Sequence, residues 1–138
     1  MHELIRLAGN YALTKNDPND RRNFLIGAVG QRRDGAIVHS RNLSISDIKP
    51  PNIKFKRFPN SHAERRLIGK LDYGSVIYVA RIARGTRDLA MARPCELCRA
   101  VIENHGVLKV YYSISPNEYG IWFPNSKKED QYYYKRVA

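Results

Sequence analysis

Cysteine is nearly absent from this chain, with two residues in 138. Two thiols make no disulfide framework, and one domain of this length can bury a core without such staples. A reducing compartment fits that usage. Long apolar runs are missing too: no stretch approaches the ~20 residues of a membrane span. The polar start Met1-His2-Glu3 is not that of a signal peptide. The expectation is one soluble, cytoplasmic domain over residues 1–138, with no membrane partner. Acid is also scarce, thirteen Asp and Glu against twenty-four Lys and Arg, for a net charge of +11. Such an excess attracts polyanions and carries no information about fold. A small phosphorylated substrate would use only a few of these charges, and a merely basic surface is the plain alternative.

What is present reads as alternating elements. Leu4, Ile5, Leu7, Ala8, Tyr11 and Ala12 recur at helical spacing over residues 3 to 15, and Asn16-Asp17-Pro18-Asn19-Asp20 stops them. Phe24 to Gly30 and Ala36 to His39 are short strands joined across an Asp34-Gly35 turn. Glycines inside the first strand point to a close approach, by a neighbouring element or a ligand. Residues 41 to 60 form a long loop of net charge +4, in which Phe55 and Phe58 lie among Lys54, Lys56 and Arg57. Basic side chains interleaved with aromatics suit a nucleic-acid strand, though both rings could equally anchor the loop to the core.

Asn60 or Ser61 can cap a helix to about Lys70, and Ser75 to Ile82 is a β-branched strand. A second basic loop, Ala83 to Arg93, carries Arg84 and Arg87. Pro94 suits the first position of a helix from Cys95 to His105 that Gly106 ends. Val107 to Ser113 is the next strand, followed by the loop Ser115 to Gly120, the segment Ile121-Trp122-Phe123 and a polar tail with Tyr132-Tyr133-Tyr134. The order α-β-β-α-β-α-β implies a sheet packed by helices, with right-handed β-α-β crossovers.

Two stretches carry chemistry, Ser61-His62-Ala63-Glu64 and Arg93-Pro94-Cys95-Glu96-Leu97-Cys98. One imidazole and two thiolates are three ligands that zinc accepts, and three protein ligands leave a fourth position open, as catalytic zinc requires. Glu64, two residues after His62, is placed to handle protons beside the metal. Both cysteines fall in the first turn of a helix, where the dipole and free amides favour thiolate. Alone, the C-x-x-C could be a redox pair, ordinary thiols or half of a structural zinc site. In this order they match the H-x-E…P-C-x-x-C signature of the zinc nucleobase deaminases.

With these motifs placed, the chain resembles the cytidine deaminase-like superfamily over nearly its whole length. The resemblance implies a three-layer α-β-α fold with a mixed five-stranded sheet, zinc held by His62, Cys95 and Cys98, and Glu64 as proton shuttle. It implies that Asn42, at the end of the second strand, contacts the substrate sugar or base. A histidine as first ligand is similar to the deoxycytidylate, tRNA-adenosine and polynucleotide cytosine deaminases. Arg99 to His105, the strand after it and the loop Ser115 to Gly120 resemble the APOBEC-type segment whose loop reads the nucleotide preceding the target. Met91-Ala92-Arg93 stands where that group has Ser-Trp-Ser.

The implied reaction converts cytosine to uracil by zinc-hydroxide attack at C4. Ala63, Pro94 and Arg93 would meet the substrate. Lys54, Phe55, Lys56, Arg57, Phe58, Arg84, Arg87, Tyr119 and Trp122 would meet flanking nucleic acid. Single-stranded DNA is the favoured polymer and RNA the second. The alternatives are a free-nucleotide (deoxycytidylate) deaminase, a tRNA adenosine deaminase and a non-catalytic nucleic-acid-binding module. A proton shuttle at Glu64 speaks against the last, since structural zinc needs none. Oligomeric state is open at this level.

Overall fold

The computed structural model describes residues 3–13, 24–41, 63–83 and 85–134. Its elements, in chain order, are α1 (Glu3–Ala12), β1 (Phe24–Gln31), β2 (Ile37–Arg41), α2 (Ala63–Ile68), β3 (Val76–Ala83), β4 (Leu89–Ala90), α3 (Glu96–His105), β5 (Lys109–Ser115), β6 (Glu118–Trp122) and β7 (Gln131–Tyr134). The class is α/β with a mixed sheet. The sheet has seven strands in the order β2-β1-β3-β5-β6-β7, with β4 beside β3, so the expected five-stranded sheet is too small. Among the described strands only β3 and β5 run parallel, and α3 lies between them in sequence; the other described pairs are antiparallel.

The extra strands come from segments whose patterning hides them. Pro116-Asn117 turn the chain within what reads as a loop, so that β5 and β6 form a hairpin with an irregularity between Ser113 and Ser115. Strand β6 shows no clean alternation because Gly120 faces the Tyr112 ring, where a Cβ would come within 2.5 Å of it. Strand β7 reads Gln-Tyr-Tyr-Tyr, apolar on both faces and exposed along its length. Period-two analysis detects neither.

Successive residues of the central strands point to opposite faces, and the core divides accordingly. Ala28, Ile77, Val79, Val110 and Tyr112 pack with Ala63 and Leu67 of α2 and Ile102 of α3. Val29, Tyr78 and Ala80 pack with Ile5 and Ala8 of α1. Each helix buries one stripe: Ile5, Ala8 and Ala12 in α1, Ala63 and Leu67 in α2, Cys98 and Ile102 in α3. The close approach signalled by the β1 glycines is made by neighbouring elements. A Cβ on Gly27 would lie 1.9 Å from the Ala8 carbonyl oxygen, and one on Gly30 would lie 2.5 Å from Leu71.

Gly106 ends α3 at φ 80°, its N–H donating to the Glu103 carbonyl at 3.2 Å, a left-handed cap that glycine adopts without a Cβ penalty. The start of α3 differs from expectation by one residue. Cys95 is extended at the N-cap, φ −67° and ψ 165°, and Pro94 stands before it.

Candidate active site

The site forms where the first residues of α2 and α3 meet. Ala63 is fully buried, and its carbonyl accepts the Ser40 hydroxyl, which ties the end of β2 to the start of α2. Ser113 of β5 fixes the approach to α3 from the other side. Its hydroxyl donates to the Ala90 carbonyl at 2.7 Å and accepts the Arg81 N–H at 3.1 Å, while its carbonyl accepts the Ala92 N–H at 2.8 Å. The Arg99 guanidinium then reaches back to the Pro94 carbonyl at 2.9 Å. These bonds hold residues 90–95 against β5, and α3 starts in a fixed place.

Within that frame Glu64 is 4% exposed and Cys98 1%, whereas Cys95 is open to solvent; no disulfide joins the two cysteines. Burial pushes the Cys98 thiol well above the ordinary thiol range, and the Glu64 charge and hydrogen bonds with Cys95 and Glu64 push it the same way. The helix-dipole argument for a thiolate is therefore outweighed. A dipole near a helix start contributes about 0.3–1 kcal/mol, less than the cost of an uncompensated anion in a buried site beside a carboxylate. Two halves of the sequence motif, 30 residues apart, thus come into side-chain contact through Glu64 and Cys98.

Among the described residues, no group of three or more His, Cys, Asp or Glu side chains is disposed to hold a metal ion. His62 and Asn42 lie outside the described residues, as do Lys54, Phe55, Lys56, Arg57, Phe58 and Arg84. Arg87 is exposed in the turn between β3 and β4 and adopts φ 60°. The Ala63 carbonyl accepts the Ser40 hydroxyl in addition to its place in the α2 ladder, and the Pro94 carbonyl accepts the Arg99 guanidinium. A carbonyl has two lone pairs, so that of Pro94 retains capacity for one more donor.

Arg93 leads from the cysteines into a cleft of about 460 Å³ that it shares with Trp122, Lys128, Glu129, Asp130 and Tyr132. Its Nε donates to Asp130 at 2.8 Å and its guanidinium lies 5.6 Å from the Trp122 ring centroid. Asp130 also accepts the Tyr112 hydroxyl at 2.5 Å. Burial pushes the Asp130 carboxyl upward, but the hydrogen bonds from Arg93 and Tyr112 outweigh it and hold the group below its ordinary value. Trp122 is 6% exposed and belongs to the core on this face, so Arg93 and not solvent covers its ring.

Tyr119 is elsewhere. It packs on the α1 face, stacked between Tyr111 and Tyr133, on the other side of the sheet from Glu64 and Cys98. Asp130, Tyr112 and Tyr132 carry no sequence signal for a cleft: one acid in a polar tail and two tyrosines in strands became neighbours only when β6 and β7 joined the sheet.

The chain matches no protein-family model, and no curated protein is similar enough to count as a relative.

Proposed function

We propose that this chain is a zinc-dependent hydrolytic deaminase that converts cytosine to uracil in single-stranded nucleic acid, DNA in the first place, on a three-layer cytidine deaminase-like scaffold. The observation that carries the reading is the contact between the buried Glu64 and Cys98, with the exposed Cys95 nearby, which brings one residue of each motif stretch together. Helices on both sheet faces support the scaffold.

The donor set suits zinc. Two sulfurs from one C-x-x-C, with an imidazole from His62, are borderline-soft ligands of the right number for a catalytic ion. A buried carboxylate touching a buried thiol also favours a site that takes up a cation. Cys95, Cys98 and His62 would hold the ion, and Glu64 would stand beside it. When bound, zinc supplies Lewis acidity that brings the pKa of a water from 15.7 to about 7.

The chain's own part is proton transfer and positioning. Glu64 takes a proton from the attacking water and delivers it to N3 of the base. It then takes the remaining proton from the hydroxyl added at C4 and gives it to the amino group. The C4–N bond breaks, the C4 carbonyl forms, and cytosine and water become uracil and ammonia. Positioned transfer of this kind contributes typically 10²–10⁴-fold. Burial of Glu64 keeps bulk water from competing for those protons. Arg93, fixed by Asp130 and lying over Trp122, shares its cleft with Lys128, Glu129 and Tyr132, so cations, acids and aromatic rings line it together. A flanking phosphate or base would sit there, and the net charge of +11 favours a polyanionic substrate.

The test is a parallel incubation of zinc-loaded protein with a mixed-context single-stranded oligonucleotide, deoxycytidylate and a tRNA. Uracil in the oligonucleotide is the expected result. Conversion of deoxycytidylate alone, or inosine in the tRNA alone, would replace the substrate assignment. No product from any of the three would overturn the reading.

A further inference from the structure

We propose that Cys95 and Cys98 are a redox couple that exchanges with low-molecular-weight disulfides of the glutathione type, Cys95 reacting first and Cys98 closing the bridge. The change from dithiol to disulfide stands apart from the deaminase reading; its consequence for zinc rests on that reading.

The chain holds two cysteines, and the fold keeps them side by side. Cys95 is the extended N-cap of α3 and Cys98 lies in the first turn of that helix. Helical geometry sets Cα atoms three residues apart at about 5–6 Å, within the span of a disulfide. The two side chains are already in hydrogen-bond contact, while no disulfide joins them. The surrounding bonds preserve this placement. Ala92 donates to the Ser113 carbonyl at 2.8 Å, the Arg99 N–H donates to the Cys95 carbonyl at 2.8 Å, and the Arg99 guanidinium reaches the Pro94 carbonyl at 2.9 Å. A partner held this close outcompetes a second molecule from solution in closing a bridge.

Access decides the order of events. Cys95 is open to solvent, whereas Cys98 is 1% exposed and lies against the buried Glu64. Exchange requires the attacking sulfur to reach the disulfide. The Cys95 sulfur attacks one sulfur of oxidised glutathione, whose S–S bond breaks. One glutathione leaves as a thiol carrying the Cys95 proton, and a mixed disulfide stands at Cys95. The Cys98 sulfur then attacks the Cys95 sulfur, and the second glutathione leaves with the Cys98 proton. The chain has lost two electrons and two protons, and the oxidant has gained both as two thiols.

The bridge encloses only Glu96 and Leu97, so it constrains little of the unfolded chain and is a reversible state, not a staple. Its effect falls on the site. Zinc binds thiolates, and oxidation removes both sulfur donors at once, so the bridge and the metal exclude each other.

The test titrates purified protein, metal-free and zinc-loaded and each folded by circular dichroism, with oxidised glutathione. Intact mass and alkylatable thiols are the readouts. Metal-free wild type should lose two hydrogens, retain no glutathione and expose no alkylatable thiol, and excess reduced glutathione should reverse this. Cys98→Ser should stop with one glutathione on Cys95. Cys95→Ser should react at least about tenfold more slowly than Cys98→Ser when folded, and at the same rate in urea. Zinc should slow wild-type closure at least about tenfold. A wild type that retains glutathione, or that links two chains through Cys95, overturns the couple. Equal rates for the two folded variants overturn the order, and closure unaffected by added zinc overturns the exclusion. None of these readouts is deamination, so failure of the couple and failure of the deaminase reading are distinguishable.

Discussion

Asp130→Ala separates the energetic reasoning about the cleft from the chemistry proposed for it. The carboxylate is 12% exposed and receives Nε of Arg93 at 2.8 Å and the Tyr112 hydroxyl at 2.5 Å. Arg93 keeps 35% of its side chain in solvent and can rehydrate, so its ion pair contributes only about 0.2–1 kcal/mol. Tyr112 is fully buried, and its bond to a charged acceptor is worth about 1.5–3 kcal/mol. The variant should lose about 2–3 kcal/mol in all, a melting shift of about 6–10 °C for a domain of this size. Asp130→Asn, which keeps an acceptor, should recover roughly half of that.

Thermal unfolding followed by circular dichroism reads both variants. The cycle with Tyr112→Phe should show a coupling of about 1–2 kcal/mol. The pH dependence has a definite sign. Because Asp130 is held below its ordinary value of 3.8, its contribution is fully present above that value and is lost as pH falls through the folded-state value. The gap between wild type and variant should therefore be flat from pH 7 to about 5 and close below about 4. A loss under about 1 kcal/mol, or strictly additive single changes, would refute the network argument.

Gly27→Ala should destabilise by about 3 kcal/mol or more, because a Cβ 1.9 Å from the Ala8 carbonyl forces α1 off the sheet; a urea midpoint within experimental error of wild type would contradict that packing. Zinc loading should give one ion per chain by elemental analysis and raise the melting temperature by several degrees, reversed by a chelator; substoichiometric metal with no stabilisation would remove zinc from the account. Replacing Lys54, Lys56 and Arg57 by alanine should lower the salt slope of single-strand binding by about 2, and an unchanged slope would assign that loop to packing.

The sequence made the helices and central strands readable because each buries one stripe or lies between two apolar layers. Ile5, Ala8 and Ala12 announce α1, and the run Val76–Ala83 announces β3. The outer strands escaped for a physical reason: Gly120 exists to admit the Tyr112 ring, and β7 is apolar on both faces. Glu64 and Cys98 stood out by the spacing of H-x-E and P-C-x-x-C, and the fold brings these two buried side chains together. The cleft was not, since Arg93, Asp130 and Tyr112 become neighbours only through the pairing of β5, β6 and β7. Burial beside Glu64 pushes the Cys98 thiol up, opposing the lowering that its place in the first turn of α3 favours.

The most direct test of the central claim compares wild type and Glu64→Gln, both loaded with zinc, on one cytosine-containing single-stranded DNA. The account predicts a one-dalton gain per converted cytosine with wild type. It predicts loss of at least 10²-fold in rate for the variant at equal metal content. A Glu64→Gln protein that converts cytosine as fast as wild type would contradict the role given to Glu64, and a wild type that leaves the DNA mass unchanged would contradict the activity itself.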